Sequence, residues 1–274
     1  MEATNPGAKV PSKDPIPAET KRGLDRCIEL LEEAYGLPRR RGDDPVDLLV
    51  QTILSQNTTS ANTHRAFESL KRAYPAYQAL LSAPDEEVAG LIRCGGLANI
   101  KTRRIKEALA MIQERQRERK IARGGVRGGP RGGDGGGKED EMGEREEAGG
   151  PERIDLEFLR GADPEEAREF LVSLPGVGPK TAAVVLLFAF RMPLLPVDTH
   201  VNRLSRRLGF VPAGASIEEA ERILEEITPR EKYCSFHVNL IRHGRAVCRA
   251  RSPSCGACIL AEVCPSAGRV GQKG

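Results

Sequence analysis

The 274-residue chain has no tryptophan, only four tyrosines and seven phenylalanines, and no long apolar run. Scarce aromatics do not preclude a core, because 39% of the residues are hydrophobic, a globular composition and not a fully disordered one. The longest apolar stretch, Ala182 to Phe190, falls far short of the about 20 residues that a membrane-spanning helix needs. No membrane partner is expected. The N-terminal segment is proline-rich and lacks the apolar stretch of a signal peptide, so a cytoplasmic location is expected. Charge of one sign is missing too: 42 Lys+Arg against 39 Asp+Glu leave +3, so a case for nucleic acid must rest on where the cations cluster. Finally, no run alternates apolar and polar residues and no internal repeat stands out, which leaves a sheet or a solenoid unsupported.

What is present reads as helix. Asp44-Pro45-Val46-Asp47 offers an N-cap, a proline at the first helical position and an acid two residues later, ahead of Leu48, Leu49, Ile53 and Leu54. Asp163-Pro164-Glu165-Glu166 repeats the device, and Ser216-Ile217-Glu218-Glu219 is a capping box before Ala220, Ile223, Leu224 and Ile227. The class is therefore all-α. Two stretches break the pattern. Residues 1–19 carry four prolines and little to bury, and residues 116–150 hold 12 of the 29 glycines with no aromatic residue. Both are expected to be disordered, the second as a flexible Gly-rich insertion reaching to residue 152, with a short tail over 267–274.

The seven cysteines are an odd number in a chain expected to stay in a reducing compartment, and four of them, Cys248, Cys255, Cys258 and Cys264, sit near the C-terminus with six, two and five residues between them. A full disulfide framework is not expected. Four thiolates that can converge in one loop point to a metal. Zinc and an iron–sulfur cluster both accept four, and although a single short knuckle, Cys255-Gly256-Ala257-Cys258, favours the cluster, spacing alone leaves zinc open. Cys27, Cys94 and Cys234 are isolated and are expected to be small buried hydrophobes.

Leu174-Pro175-Gly176-Val177-Gly178-Pro179-Lys180-Thr181 lies between two helical stretches, 165–173 and 181–190. Gly176 and Gly178 allow a tight turn and expose N–H groups at a helix start, where a phosphate oxygen is favoured. The string suits a grip on a DNA backbone. Lys180 follows directly, in the first helical turn, where the macrodipole disfavours added positive charge and a lysine suits nucleophilic use. Its candidate partner is Asp198 in Val197-Asp198-Thr199-His200, a residue that could equally be the ordinary N-cap of the helix after it. Three acid-free basic patches complete the picture: Arg93, Lys101, Arg103, Arg104 and Lys106; Arg203, Arg206 and Arg207; and Arg242, Arg245, Arg249 and Arg251. Phosphate contact is the simplest joint explanation.

Together these motifs resemble the endonuclease III family of helix-hairpin-helix DNA glycosylases. The resemblance spans Asp44 to Pro265 apart from the insertion, and rests on Ile53-Leu54-Ser55-Gln56-Asn57-Thr58, on the Leu174–Thr181 hairpin with Asp198 eighteen positions after Lys180, and on the cysteine loop. It implies two helical domains flanking a DNA-binding cleft. One is a six-helix domain of residues 39–115 and 153–192 holding the hairpin, and the other is built from 20–38 and 193–266 around a [4Fe–4S] cluster on Cys248, Cys255, Cys258 and Cys264. It also implies that Lys180 is the Schiff-base lysine and Asp198 the catalytic aspartate. Asn57, with Gln56 beside it, falls where the family fills the gap left by a flipped base, and Leu97 falls at its wedge position; the family's best-known members have Gln where this chain has Asn57. Gly176, Gly178, His200, Arg203, Arg249 and Arg251 are the further expected DNA contacts. The implied activity is that of a bifunctional DNA glycosylase and abasic-site lyase acting on double-stranded DNA with damaged bases, oxidised pyrimidines by family expectation, or abasic sites. It would work in association with the nucleoid, and a monomer suffices for it. Two alternatives stand beside it. A monofunctional mismatch or adenine glycosylase would generally lack Lys180 and, in the adenine enzymes, carry a further C-terminal domain where only ten residues follow Cys264. A non-catalytic DNA-binding module would leave Lys180 and Asp198 unexplained together.

Overall fold

The computed structural model describes residues 17–38, 44–124 and 153–269. Eleven α-helices and no strand occur among them, with short 3₁₀ turns between. They divide into two compact units, one of Met1–Arg39 with Val197–Gly274, the other of Arg40–Pro196.

The Arg40–Pro196 unit holds α2 (Pro45–Leu54), α3 (Ser60–Ala73), α4 (Tyr77–Ser82), α5 (Asp85–Ile92), α6 (Ala98–Gly124), α7 (Pro164–Ser173) and α8 (Pro179–Phe190). Its described helices number seven where six are expected. The start signals act as read: Asp44 Oδ1 accepts from the N–H groups of Val46 and Asp47 at 2.9 and 3.0 Å, and Asp163 Oδ1 from Glu165 and Glu166 at 2.9 and 3.3 Å. Each satisfies donors that a helix leaves unpaired at its first turn. Leu49, Ile53, Leu70, Ile92, Ile105, Leu171 and Leu186, drawn from six of the helices, are buried in one aliphatic core. Leu194 joins that core, so the chain leaves this unit about four residues later than the expected boundary at 192.

The ordered part of this unit extends beyond residue 115, where the sequence predicts its end. Helix α6 runs on through Gly124 because its buried stripe, Ile105, Ala108, Leu109 and Ile112, continues to Gln116 at helical spacing. The Gln116 side chain donates to the carbonyl of Arg153 and accepts from the N–H of Asp155, both at 3.3 Å. One turn later Arg119 donates to the carbonyl of Phe158 at 2.9 Å and covers its ring. The remainder of the Gly-rich insertion, 125–152, lies outside the described residues, as do 1–16 and 270–274, where the two tails are expected. Pro17, Ala18 and Glu19, assigned to the first tail, lead into and open α1.

The second unit contains α1 (Ala18–Tyr35), α9 (Thr199–Arg207), α10 (Ile217–Ile227) and α11 (Tyr233–Ala246), followed by the cysteine loop. Helix α11 packs against both α1 and α9. Leu24, Cys27, Ile28 and Leu31 of α1 and Phe236 and Leu240 of α11 are buried. Ser216 caps α10 by accepting from the N–H of Glu219 at 3.1 Å. Polar ties also hold α1 to α11: Glu32 accepts from Lys232 at 2.8 Å and from the Ser235 hydroxyl at 2.6 Å.

Candidate functional site

The hairpin in the Arg40–Pro196 unit joins α7 to α8 through Leu174–Gly178. Leu174 and Val177 anchor it in the core, and the N–H of Val177 bonds the carbonyl of Leu174 at 3.1 Å. Gly176 has φ +80°, and a Cβ there would lie 2.7 Å from Cδ of Arg104, so both the backbone and the close approach favour glycine. Gly178 is the N-cap of α8, Pro179 its first residue and Lys180 its second. Lys180 and Gly178 are exposed. A lysine is thus presented at a helix start whose first N–H groups carry no side-chain cap, an arrangement able to take a phosphate beside an amine.

Next to the hairpin stand the two short segments expected to enter DNA. Gln56 and Asn57 follow the last residue of α2, and Gly95-Gly96-Leu97 precedes α6. Asn57 has φ 54° and Leu97 φ 51°, left-handed values that non-glycine residues adopt only where surroundings hold them. Both are exposed, Leu97 by 52%, a large apolar side chain left outside the core. Gln56, an expected DNA contact, is engaged within the unit: its amide donates to the carbonyl of Gly176 at 2.8 Å and its Oε1 accepts from Arg104 at 3.4 Å. The basic patch from Arg93 to Lys106 does not form one surface. Residues on a helix share a face only at three- and four-residue spacing, and here Lys101 is buried, Lys106 pairs with Asp85, Arg103 with Glu107, and Arg104 lies on the hairpin.

In the other unit Asp198 is the N-cap of α9, accepting from the N–H groups of His200 and Val201, both at 2.8 Å. Both bonds fall on Oδ1. The capping role weighed in the sequence is therefore real, and it leaves the second carboxylate oxygen for other work. His200 and Arg203 are turned inward. The Arg203 guanidinium donates to the carbonyls of Gly244 and Cys248 and to Nδ1 of His200, between 3.0 and 3.3 Å. Because arginine is always a donor, Nδ1 is the acceptor and the proton of a neutral His200 sits on Nε2. Burial, with the nearby Arg203 and Arg245 adding to it, holds His200 below its ordinary pKa despite Asp198. Gly244 permits this packing, since a Cβ there would meet His200 Nδ1 at 2.8 Å.

The four C-terminal cysteines line one cavity together with Arg207 and Val247. Arg207 donates to Sγ of Cys248 at 3.2 Å and to the carbonyls of Arg249 and Ala250, gripping the loop. His243 Nε2 lies 3.3 Å from Sγ of Cys258 and its Nδ1 3.0 Å from the hydroxyl of Tyr35. Burial pushes the Tyr35 phenol above and His243 below their ordinary values. Burial and the neighbouring thiols also raise Cys258 and Cys264, so four bare thiolates would repel one another without a cation between them. Four thiols lining one cavity, with an arginine donor at one sulfur and a ring nitrogen beside another, fit an iron–sulfur cluster. Arg249 and Arg251 are exposed on the same loop, Arg249 bonding Ser254 Oγ at 3.3 Å. Of the isolated cysteines, Cys27 is buried as expected, but Cys94 is exposed and Cys234 intermediate. Sequence reasoning missed His243 and Tyr35, which carry no motif, and grouped Arg207 with a phosphate-binding patch.

Comparison with known proteins agrees. The model of the HhH-GPD superfamily base excision DNA repair proteins matches residues 50–230, and that of the iron-sulfur binding domain of endonuclease III matches residues 248–264. Endonuclease III of Synechocystis sp. is 35% identical over 224 residues, 81% of this chain and 82% of that one. Endonuclease III of Thermotoga maritima is 31% identical over 221 residues, 81% and 83% of the two chains. A non-covalent endonuclease III–DNA complex superposes with a TM-score of 0.69 at 27% identity, covering 91% of this chain and 97% of that one. A trapped endonuclease III–DNA covalent intermediate gives 0.67 at the same identity and coverage.

Proposed function

Since the chain belongs to the endonuclease III family of the HhH-GPD superfamily, we propose that it is a DNA glycosylase and abasic-site lyase of base excision repair in which Lys180 is the nucleophile and Asp198 its electrostatic partner. The observation that carries this reading is the exposed Lys180 in the first turn of α8, immediately after the hairpin. The substrate is double-stranded DNA bearing a damaged base, an oxidised pyrimidine by family expectation, or an abasic site, and the enzyme acts as a monomer.

The chemistry follows from the residue types. Rotating a base out of the stack costs least where pairing is already weakened, which supplies part of the selectivity. The neutral Nζ of Lys180 bonds to the sugar C1′ as the C1′–base bond breaks and the base departs with a proton. The carboxylate of Asp198 stabilises the positive charge that develops on the sugar and receives and returns the amine proton. That proton passes from the carboxylate to the ring oxygen O4′ as the C1′–O4′ bond breaks, and the open sugar is left as a protonated imine. That imine acidifies the C2′ hydrogens, and removal of one expels the 3′ phosphate by β-elimination. Asn57 occupies the gap left in the duplex and Leu97 wedges the stack, while Gly176 and Gly178 present N–H groups to the backbone. Cys248, Cys255, Cys258 and Cys264 hold the [4Fe–4S] cluster, which when bound cross-links the loop that displays Arg249 and Arg251.

A duplex containing one abasic site tests the reading. Borohydride reduces an imine to a stable amine, so the parent should yield a covalent protein–DNA adduct and strand cleavage. Lys180→Gln should yield no adduct and cleave slower by roughly 10³-fold or more. Base release without cleavage by the parent would indicate the monofunctional alternative, and binding alone a non-catalytic module.

A further inference from the structure

Lys101 is 1% exposed, inside the Arg40–Pro196 unit, and among the described residues its Nζ bonds no carboxylate. Its Nζ donates instead to two backbone carbonyls, that of Leu54 at 2.7 Å and that of Gly95 at 2.8 Å. Leu54 is the last residue of α2, whose terminal carbonyls have no partner within the helix and whose last turn carries no basic residue of its own. A cation placed there from another helix satisfies the carbonyl and the negative end of the dipole at once. Gly95 closes the 3₁₀ turn ahead of Leu97, and the backbone N–H of Lys101 bonds the carbonyl of Leu97 at 2.9 Å. One residue therefore holds the Gly95–Leu97 segment at both ends, through Nζ and through its N–H.

The two carbonyls lie just ahead of the two residues in left-handed backbone. Asn57 follows Leu54 by three positions and Leu97 follows Gly95 by two, and each has φ just above +50°. Such conformations persist where the surroundings over-determine them. Chain segments this short cannot absorb a shift of their anchor, since each residue spans only about 3.5 Å. A charge buried without a counter-ion is costly, and a plain core position would be served better by leucine or methionine.

We propose that Lys101 is a positioning residue that fixes the gap-filling segment at Asn57 and the wedge segment at Leu97 in one register by spanning the carbonyls of Leu54 and Gly95. This rests on the roles assigned to Asn57 and Leu97 above. Lys101 touches no reacting atom, so its effect falls on insertion into the duplex and not on the imine chemistry itself.

The test uses the full-length protein and a duplex with one abasic site facing 2-aminopurine, whose fluorescence rises when it is unstacked. Lys101→Met fills the same space without donors. It should bind the duplex within roughly threefold of the parent, yet cleave at saturating enzyme about tenfold or more slowly and lose the fluorescence rise. A role in stability alone predicts a lower melting temperature with parental rate and parental brightening per folded molecule, and that result overturns the proposal. If Lys101→Met does not fold, Lys101→Gln, polar but too short to span both carbonyls, carries the same comparison. Should neither fold, the residue serves stability and the proposal fails. A parent that neither cleaves nor brightens the duplex would instead overturn the functional reading on which the proposal stands.

Discussion

The side-chain amide of Gln56 donates to the carbonyl of Gly176 at 2.8 Å, joining the end of α2 to the hairpin across 120 residues of sequence. Arg104 completes the contact by donating to Gln56 Oε1 while its aliphatic stem lies against Gly176. The segment after α2, proposed to fill a gap in the duplex, and the hairpin, proposed to grip its backbone, are thereby built as one piece within the Arg40–Pro196 unit.

Gln56→Ala should therefore lower stability by about 1 kcal/mol, because it leaves the Gly176 carbonyl without this donor. Abasic-site cleavage should slow in parallel. A side chain used only to touch DNA makes the opposite forecast, weaker binding at an unchanged melting temperature, so thermal melts and binding isotherms on the same preparation separate the two.

Asp198 has a capping role and a proposed chemical one, and two substitutions pull them apart. Asp198→Asn keeps an oxygen for the N–H groups of His200 and Val201, so the melting temperature should hold while single-turnover cleavage falls by roughly 10²-fold. Asp198→Ala should show the same catalytic loss with a further stability cost of about 1 kcal/mol. Parental turnover by Asp198→Asn would falsify the chemical role and leave the cap.

Protein purified without oxygen should be brown and carry iron, with visible absorption that disappears as the cluster is lost. Removing the cluster, or replacing one ligand by Cys258→Ser, should lower the melting temperature by roughly 5 °C or more, because the loop then loses its cross-link. Stoichiometric zinc in place of iron would show that the single knuckle misled the choice of metal.

Acid should weaken the tie between α1 and α11. Burial pushes Glu32 up, but hydrogen bonds from Lys232 and Ser235 and the charge of Lys232 outweigh it, leaving Glu32 below its ordinary value of 4.5. A carboxylate depressed in the folded state contributes stability that is complete above its unfolded pKa and is lost as pH falls through the folded one. Because Lys232 is 38% exposed, the contribution at pH 7 is screened to roughly 0.5–1 kcal/mol. Glu32→Gln should thus melt below the parent at pH 7, and the difference should shrink as pH drops beneath 4.5. A constant deficit across that range would assign the effect to packing.

Local signals in this chain were legible because each acts over a few residues. Asp44, Asp163 and Ser216 cap the helices their spacing announces, and Gly176, Gly178 and Pro179 make the turn they imply. The four-cysteine spacing marked a metal loop for the same reason. Which side chains remain for DNA depended on contacts between distant segments. Gln56 and Arg203 read as DNA contacts and are engaged internally, Lys101 reads as part of a basic patch and is buried, and Gln116 reads as linker and is packed. Sequence alone determined the all-helical class, the capped helix starts and the turn, because propensity and capping are properties of neighbours in the chain. Only the tertiary structure decided which cations and amides are spent on backbone carbonyls, because a carbonyl left unpaired at a helix end or turn is satisfied by whatever donor the fold brings to it.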